Sequence, residues 1–242
     1  MSDLAAIPRN LATVRARLEQ AARAAGRNPA TIRLVAISKT HPPEAVLTAV
    51  SAGQHDFGEN RLQEALQKIR ATAEHQIRWH LVGHLQSNKA RKAASVFHCV
   101  HSIDGPDLMQ QVDLAAVEAG TTPELLVQVD LAGESTKFGA PEATVPALFE
   151  AARALRAARL VGLMLLPPFA NNPEDARPWF RRLRELRDRL AGSGVPSRQL
   201  RELSMGMSHD FHVAIGEGAT TVRVGTAIFG ERPPVGGTEK PE

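Results

Sequence analysis

Apolar and polar positions recur along this chain with two different periods. From residue 10 to 26 the side chains Leu11, Val14, Leu18, Ala21, Ala22 and Ala25 fall at helical spacing, and Gly26 offers a stop. Beyond it come eight short apolar runs bounded by turn residues: IRLVAIS (32–38), HDFG (55–58), IRWHLVG (77–83), VFHCVHSI (96–103), ELLVQVDL (124–131), LVGLMLL (160–166), LRELSMG (200–206) and TTVRVGTAIF (220–229). Helical segments lie between them at 43–53, 61–74, 88–95, 106–119, 141–158, 173–191 and 209–217. Strands alternating with helices behind one leading helix predict an α/β fold, a (β/α)8 TIM barrel with an extra N-terminal helix. The nearly continuous apolar strands fit a parallel sheet covered by helices. An open doubly wound sheet is compatible with the same alternation.

Length and composition narrow the picture. The 242 residues approach the roughly 250 of a typical barrel. We therefore expect one barrel domain over residues 1–232 and a flexible Pro- and Gly-rich tail over 233–242. The formal charge is only +3, there is no long basic tract, and with no Tyr and two Trp a stacking platform is not expected, which argues against nucleic-acid binding. The opening MSDLAAIPRNLATVRARLEQ has no apolar core of a signal peptide, and no stretch approaches the roughly 20 apolar residues that span a bilayer. The single cysteine, Cys99, fits a reducing compartment. A cytoplasmic protein without membrane contact is the expectation.

In a barrel the C-terminal ends of all strands share one face, and the site belongs there. Strand 1 ends on Lys39, strand 2 on GEN (58–60), strand 6 on two prolines (167–168), strand 7 on SMGMS (204–208), and RVGT (223–226) lies late in strand 8; GESTKFG (133–139) follows strand 5. Loops after strands 7 and 8 often bind phosphate through backbone N–H groups. Gly206 would permit close backbone approach, and Ser208, Gly225 and Thr226 offer hydroxyls and flexible backbone. A plain helix cap at Ser208 is the simpler alternative. Lys39, taken alone, is a snorkelling strand-end charge. Beside an anion site, which closure of strand 8 onto strand 1 would provide, it becomes an amine able to form a Schiff base with a phosphate-bearing aldehyde. Pyridoxal 5'-phosphate is such a molecule, and a guanidinium at Arg223 would disfavour protonation of its pyridine nitrogen. His80, His84, His98 and His101 suggest a metal cluster on paper. His98 and His101 face opposite sides of a strand, however, and no Cys or carboxylate falls at a convincing ligand spacing, so no metal is expected. The arginines of 153–159 and 177–189 read as solvated helix faces.

The segments VAISKTHP, DFGENRLQEA, WHLVGHLQSNK, VHSID, LLVQVDLAGESTKFG, GLMLLPP and LSMGMSHDFHVAIGEGATTVRVGTAIFG occur in order from about residue 32 to 232. Together they resemble the YggS/PROSC family of pyridoxal phosphate homeostasis proteins. The resemblance implies a barrel similar to the N-terminal domain of alanine racemase, with the cofactor carried as an internal aldimine on the lysine of SKT, here Lys39. It places Asn60, Met205 and Met207 at the cofactor, Arg223 against the pyridine nitrogen, and Ser208, Gly225 and Thr226 at the phosphate. Where the family often has Asn, this chain has Asp130, which would bring a negative charge near the site.

The family resemblance implies a regulator or carrier of intracellular vitamin B6, with transient contact to apo-enzymes that use the cofactor. A racemase of the related fold uses a second base, a tyrosine, opposite the lysine, and this chain contains no Tyr. It also lacks the second domain through which the larger enzymes dimerise, so a monomer without robust turnover is expected. A weak amino-acid racemase, and a cofactor-free lyase acting on a sugar phosphate through Lys39, are the alternatives.

Overall fold

The computed structural model describes residues 4–133 and 138–231; the expected tail at 233–242 and residues 134–137 of the GESTKFG segment lie outside the described residues. Among the described residues nine strands form in chain order: β1 (Arg33–Ile37), β2 (Asp56–Glu59), β3 (Arg78–Leu81), β4 (Cys99–Ile103), β5 (Glu124–Asp130), the two-residue β6 (Ala140–Pro141), β7 (Arg159–Met164), β8 (Glu202–Ser204) and β9 (Thr221–Val224). Eight of them pair in parallel in the order β4-β3-β2-β1-β9-β8-β7-β5, and β4 pairs with β5 to close the ring. Closure removes the open doubly wound alternative. The short β6 adds to β5 through Val129 and Ala140.

The helices are α1 (Ile7–Ala24), α2 (Pro43–Ser51), α3 (Leu62–Ala71), α4 (Ala90–Ala94), α5 (Pro106–Ala119), α6 (Val145–Ala151), α7 (Arg177–Gly192), α8 (Phe211–Gly216) and α9 (Thr226–Phe229). Among the described residues, none is long and apolar enough to cross a membrane. The extra helix α1 buries Ile7, Leu11, Val14, Leu18 and Ala22, one stripe at helical spacing. Asn10 donates to Ile228 O at 3.1 Å, and Arg15 donates to Ala52 O at 2.9 Å, so α1 is tied to α9 and to the end of α2. Because α9 lies at the barrel mouth, α1 buttresses the site from outside.

Two strand boundaries depart from the sequence pattern where it matters. The run 220–229 is not one strand: β9 stops at Val224, Gly225 turns the chain, and Thr226–Phe229 start a short helix. Apolar runs cannot distinguish a strand from a short buried helix by period alone. The run 200–206 holds only the three residues of β8, after which Gly206 adopts φ 93°. The arginines of α7 lie on a partly exposed face, and three of them also serve a buried group. Arg177, Arg181 and Arg184 converge on the buried carboxylate of Glu217 at 3.1, 3.3 and 2.7 Å, while Phe180, Leu183, Leu186 and Leu190 fill the opposite face.

Pairing register brings the two ends of the chain to one place. Arg33–Ala36 run beside Thr221–Val224, so the end of β1 stands next to Gly225. Lys39, two residues past β1, therefore reaches the mouth beside the loops that follow β8 and β9.

Candidate functional site

At the C-terminal mouth a cavity of about 570 Å3 is lined by Ile37, Lys39, His41, Asn60 and Val82 on one side, by residues 166–170 and 207–210 on the other, and by Arg223, Gly225 and Thr226 between them. Its size is that of a small-molecule or cofactor site.

Lys39 is carried on a corner pinned from beneath. Ser38 N donates to Gly58 O at 3.1 Å, and Ser38 Oγ donates to Glu59 Oε1 at 2.7 Å. The ammonium of Lys68, on α3, donates to Ser38 O at 2.6 Å, to Glu59 Oε1 at 2.6 Å and to Glu64 Oε1 at 2.7 Å. Glu64 also accepts from Thr40 N at 2.5 Å, holding Thr40 at φ 67°, a left-handed conformation uncommon for a β-branched residue. Burial raises the Glu59 carboxyl above its ordinary value although Lys68 and Ser38 pull it down. The result is a rigid turn, completed by His41 N donating to Ser38 O at 3.1 Å, that presents Lys39 to the cavity.

Opposite, the loops after β8 and β9 are laced together. Arg223 N donates to Gly206 O at 3.0 Å, and Ser208 Oγ accepts from Gly225 N at 3.2 Å and from Ala227 N at 3.4 Å. The hydroxyl of Ser208 thus does not cap the following helix, which starts three residues later at Phe211; Asp210 Oδ1 accepts from Met207 N at 2.6 Å and shapes that turn. Ser208 Oγ and the N–H groups of Gly225 and Ala227 form one polar cluster, of which Ser208 and Gly225 line the cavity. Side-chain-free backbone is required at Gly206, and room for a side chain is tight at Gly225. A Cβ on Gly206 would lie 2.6 Å from Ala214 Cβ, and one on Gly225 would lie 3.1 Å from Ile37 O. Gly206→Ala, at φ 93°, is expected to cost about 1–3 kcal/mol in a urea melt, because the new methyl would meet Ala214 and Phe211 in a backbone conformation that favours glycine.

Arg223 projects from β9 and is 3% exposed. Its Nη1 donates to Ser204 Oγ at 2.6 Å and its Nη2 to Leu165 O at 2.8 Å. Burial lowers its pKa to about 10, which leaves it cationic at neutral pH. Of the residues expected at the site, Lys39, Asn60, Met207, Ser208, Arg223, Gly225 and Thr226 line the cavity. Met205 does not: it is fully buried in the hydrophobic core. Ser204 points into the barrel, so the next side chain points away from it. Asp130 is absent from the lining as well, and its carboxylate accepts from Ala132 N and Gly133 N at 3.1 and 2.9 Å to stabilise a turn.

Pattern reading missed His41, His209, Asp210 and the wall 166–170, including Phe169, which is 86% exposed at the rim. The prolines at 167–168 marked that wall only as a strand end. The histidines also differ from expectation. His98 has a side chain 40% exposed and its ring lies 6.0 Å from that of His80, while His80, Cys99 and His101 place ligand atoms within 4.8 Å of one another inside the barrel. All four ring nitrogens of His80 and His101 already have hydrogen-bond partners, and burial pushes the Cys99 thiol well up.

The chain matches the family model described as alanine racemase, N-terminal domain, over residues 3–233. It is 45% identical over 230 residues to the pyridoxal phosphate homeostasis protein of Pseudomonas aeruginosa, covering 95% of this chain and 97% of that one. The protein of the same name from Aquifex aeolicus is 41% identical over 222 residues, covering 92% and 96%. Among solved structures, PipY of Synechococcus elongatus with PLP bound is similar at 37% identity and a TM-score of 0.82, covering 93% of this chain and 100% of that one. Alanine racemase of Corynebacterium glutamicum shares the fold at 19% identity and a TM-score of 0.71, with 99% of this chain matching 64% of the racemase. A barrel whose lysine, arginine and serine–glycine cradle meet in one cavity, and relatives matched along nearly their full length, place this chain in the pyridoxal phosphate homeostasis protein family.

Proposed function

We propose that this protein binds pyridoxal 5'-phosphate (PLP), holds it as a Schiff base on Lys39, and serves cytoplasmic vitamin B6 homeostasis as a monomeric carrier without robust turnover. The observation that carries this reading is the convergence of Lys39, Arg223 and the Ser208–Gly225 patch on one cavity. The donor set fits the cofactor's three functional ends. Ser208 Oγ, together with the Gly225 and Ala227 N–H groups it now engages, would take the phosphate. Arg223, a donor only, would face the ring nitrogen. Lys39 Nζ would take the aldehyde carbon, forming C=N with loss of one water, a condensation that reverses by adding water back. When bound, the cofactor supplies a reactive aldehyde on an electron-withdrawing ring.

The residues of this chain favour holding over turnover. An arginine beside the ring nitrogen keeps that nitrogen unprotonated and weakens the ring as an electron sink. The wall facing Lys39 is largely apolar, formed by Leu166, Pro167, Pro168, Phe169 and Met207, and the chain has no Tyr to act as a second base. Reversible release from such a site suits transfer to apo-enzymes. His41 and His209 also line the cavity, and they are the groups on which a weak racemase reading would rest.

Borohydride reduction of the PLP-loaded protein, followed by peptide mass analysis, is the deciding experiment. A phosphopyridoxyl mass on the peptide containing residue 39 is expected. Reduction that labels another lysine, or none, overturns the reading, and trapping of a sugar phosphate at Lys39 without PLP replaces it with the lyase. Sustained Lys39-dependent isotope exchange at the Cα of amino acids would replace carriage with turnover.

A further inference from the structure

A continuous polar chain crosses the barrel interior from its N-terminal end to the cavity. Arg78 grips Asp56, Nε to Oδ1 at 2.8 Å and Nη2 to Oδ2 at 2.5 Å. Asp56 Oδ1 meets His80 Nε2 at 3.1 Å, His80 Nδ1 meets His101 Nε2 at 3.0 Å, and His101 Nδ1 meets Ser204 Oγ at 2.9 Å. Ser204 Oγ is the acceptor for Arg223 Nη1 at 2.6 Å. His80, His101 and Ser204 are at most 1% exposed, and their surroundings include the apolar cluster of Cys99, Leu126, Val161 and Met164. Only Arg78, with a side chain 52% exposed, reaches water at the far end.

The two ends dictate the direction of every link. Arg223 only donates, and the Asp56 carboxylate only accepts. Ser204 therefore accepts from Arg223 and has its own proton free for His101 Nδ1. His101, its Nδ1 occupied as an acceptor, carries its proton on Nε2 and gives it to His80 Nδ1. His80 in turn carries its proton on Nε2 and gives it to Asp56. A proton added to either ring would reverse at least one link and set a cation closer to Arg223. Burial lowers the His80 imidazole although Asp56 pulls it up, and burial lowers that of His101 strongly, with the charges of His80 and Arg223 adding to the effect. Although burial alone would raise Asp56, Arg78 and His80 hold its carboxyl well below the usual range, so the accepting end stays ionised.

We infer that Asp56, His80, His101 and Ser204 are positioning residues: a one-way donor chain, anchored at the opposite end of the barrel, that locks Arg223 as a donor toward the ring nitrogen of the bound cofactor. This rests on the PLP reading for its target, while the direction of the chain does not. Every member is satisfied, which a dry interior demands, and links in series strengthen one another. Core packing alone would be served as well by aliphatic side chains at these positions.

Two measurements test it. In 15N-histidine NMR of the full chain without PLP at neutral pH, both His80 and His101 are expected as neutral Nε2–H tautomers. An Nδ1–H tautomer or a doubly protonated ring at either position overturns the chain. In the second, wild type, Ser204→Ala, His101→Leu and His101→Gln are loaded with PLP labelled with 15N in the ring, and the ring-nitrogen shift is read. Wild type should show the unprotonated value, and Ser204→Ala and His101→Leu a displacement toward the protonated value. His101→Gln should return to wild type, because its amide oxygen can accept from Ser204 and its NH2 can donate to His80. Correct tautomers with an unmoved shift in both broken variants reduce the chain to packing and overturn the inference. If His101→Leu fails to fold, Ser204→Ala carries the same comparison. If wild type does not retain PLP, the cofactor reading fails and the tautomer result still decides the chain.

Discussion

Lys68→Ala is expected to destabilise the fold by about 3–5 kcal/mol, the range for breaking one side of a buried ion pair. Lys68 is 3% exposed and its ammonium serves three oxygens, one of them the carbonyl of Ser38 immediately before the site lysine. Truncation leaves Glu59, 0% exposed and with Oε2 already unpartnered, supported only by the Ser38 hydroxyl. For a chain of 242 residues the loss corresponds to a fall in melting midpoint of roughly 6–20 °C. The deficit should also depend on pH. Glu59 titrates above its ordinary value in the folded protein, and without Lys68 it is raised further. A carboxyl raised on folding contributes stability below its unfolded pKa and loses it as pH rises through the folded pKa. The penalty of Lys68→Ala should therefore shrink as the melt is moved from neutral toward acid pH. Adding Glu59→Gln to Lys68→Met should recover part of the loss, because the stranded charge is gone. A pH-independent change within about 0.5 kcal/mol of zero would show that this corner is not held by the ion pair.

That corner also shows what a one-dimensional pattern can reveal. Lys39 was legible because a strand that ends on a lysine breaks an apolar run, and barrel closure predicts which loops become its neighbours. Ser208, Gly225 and Thr226 were legible for the same topological reason, and the register of β1 against β9 brings them to it. Lys68 was not legible. In RLQEALQKIRATAE it sits four residues after Glu64 and reads as one half of a solvated surface pair, whereas its ammonium turns inward to a carbonyl 30 residues away. The interior histidines were half legible. Alternation set His98 apart from His101, yet both rings lie beside His80, and the level at which His101 meets His80 depends on strand stagger, which no local period encodes. Met205 shows the complementary failure: a motif carried it to the site together with its neighbours, while the pleat turned its side chain into the core.

Lys39→Ala is expected to abolish the borohydride-stable phosphopyridoxyl mass and the visible band of the loaded protein. The side chain of Lys39 lines the cavity, and its neighbours make their own contacts beneath it: Ser38 to Glu59 and Lys68, and Thr40 to Glu64. Removing the amine spares the contacts of Ser38 and Thr40, in contrast to Lys68→Ala, which keeps the amine and loosens its support. Residual binding through the Ser208–Gly225 patch and Arg223 should persist, because those groups lie on β9 and the loops around it. If the covalent link contributes about 3 kcal/mol, its loss raises Kd roughly a hundredfold, and equilibrium dialysis of PLP against wild type and variant reads it directly. The pair of variants separates two ways of losing the cofactor. Lys39→Ala should give a protein with fast, weak PLP exchange and no adduct, and Lys68→Ala a destabilised protein that still forms the phosphopyridoxyl adduct below its melting transition. A Lys39→Ala protein that keeps both the visible band and wild-type Kd would move the covalent role to another amine and remove the basis for reading β1 as the cofactor strand.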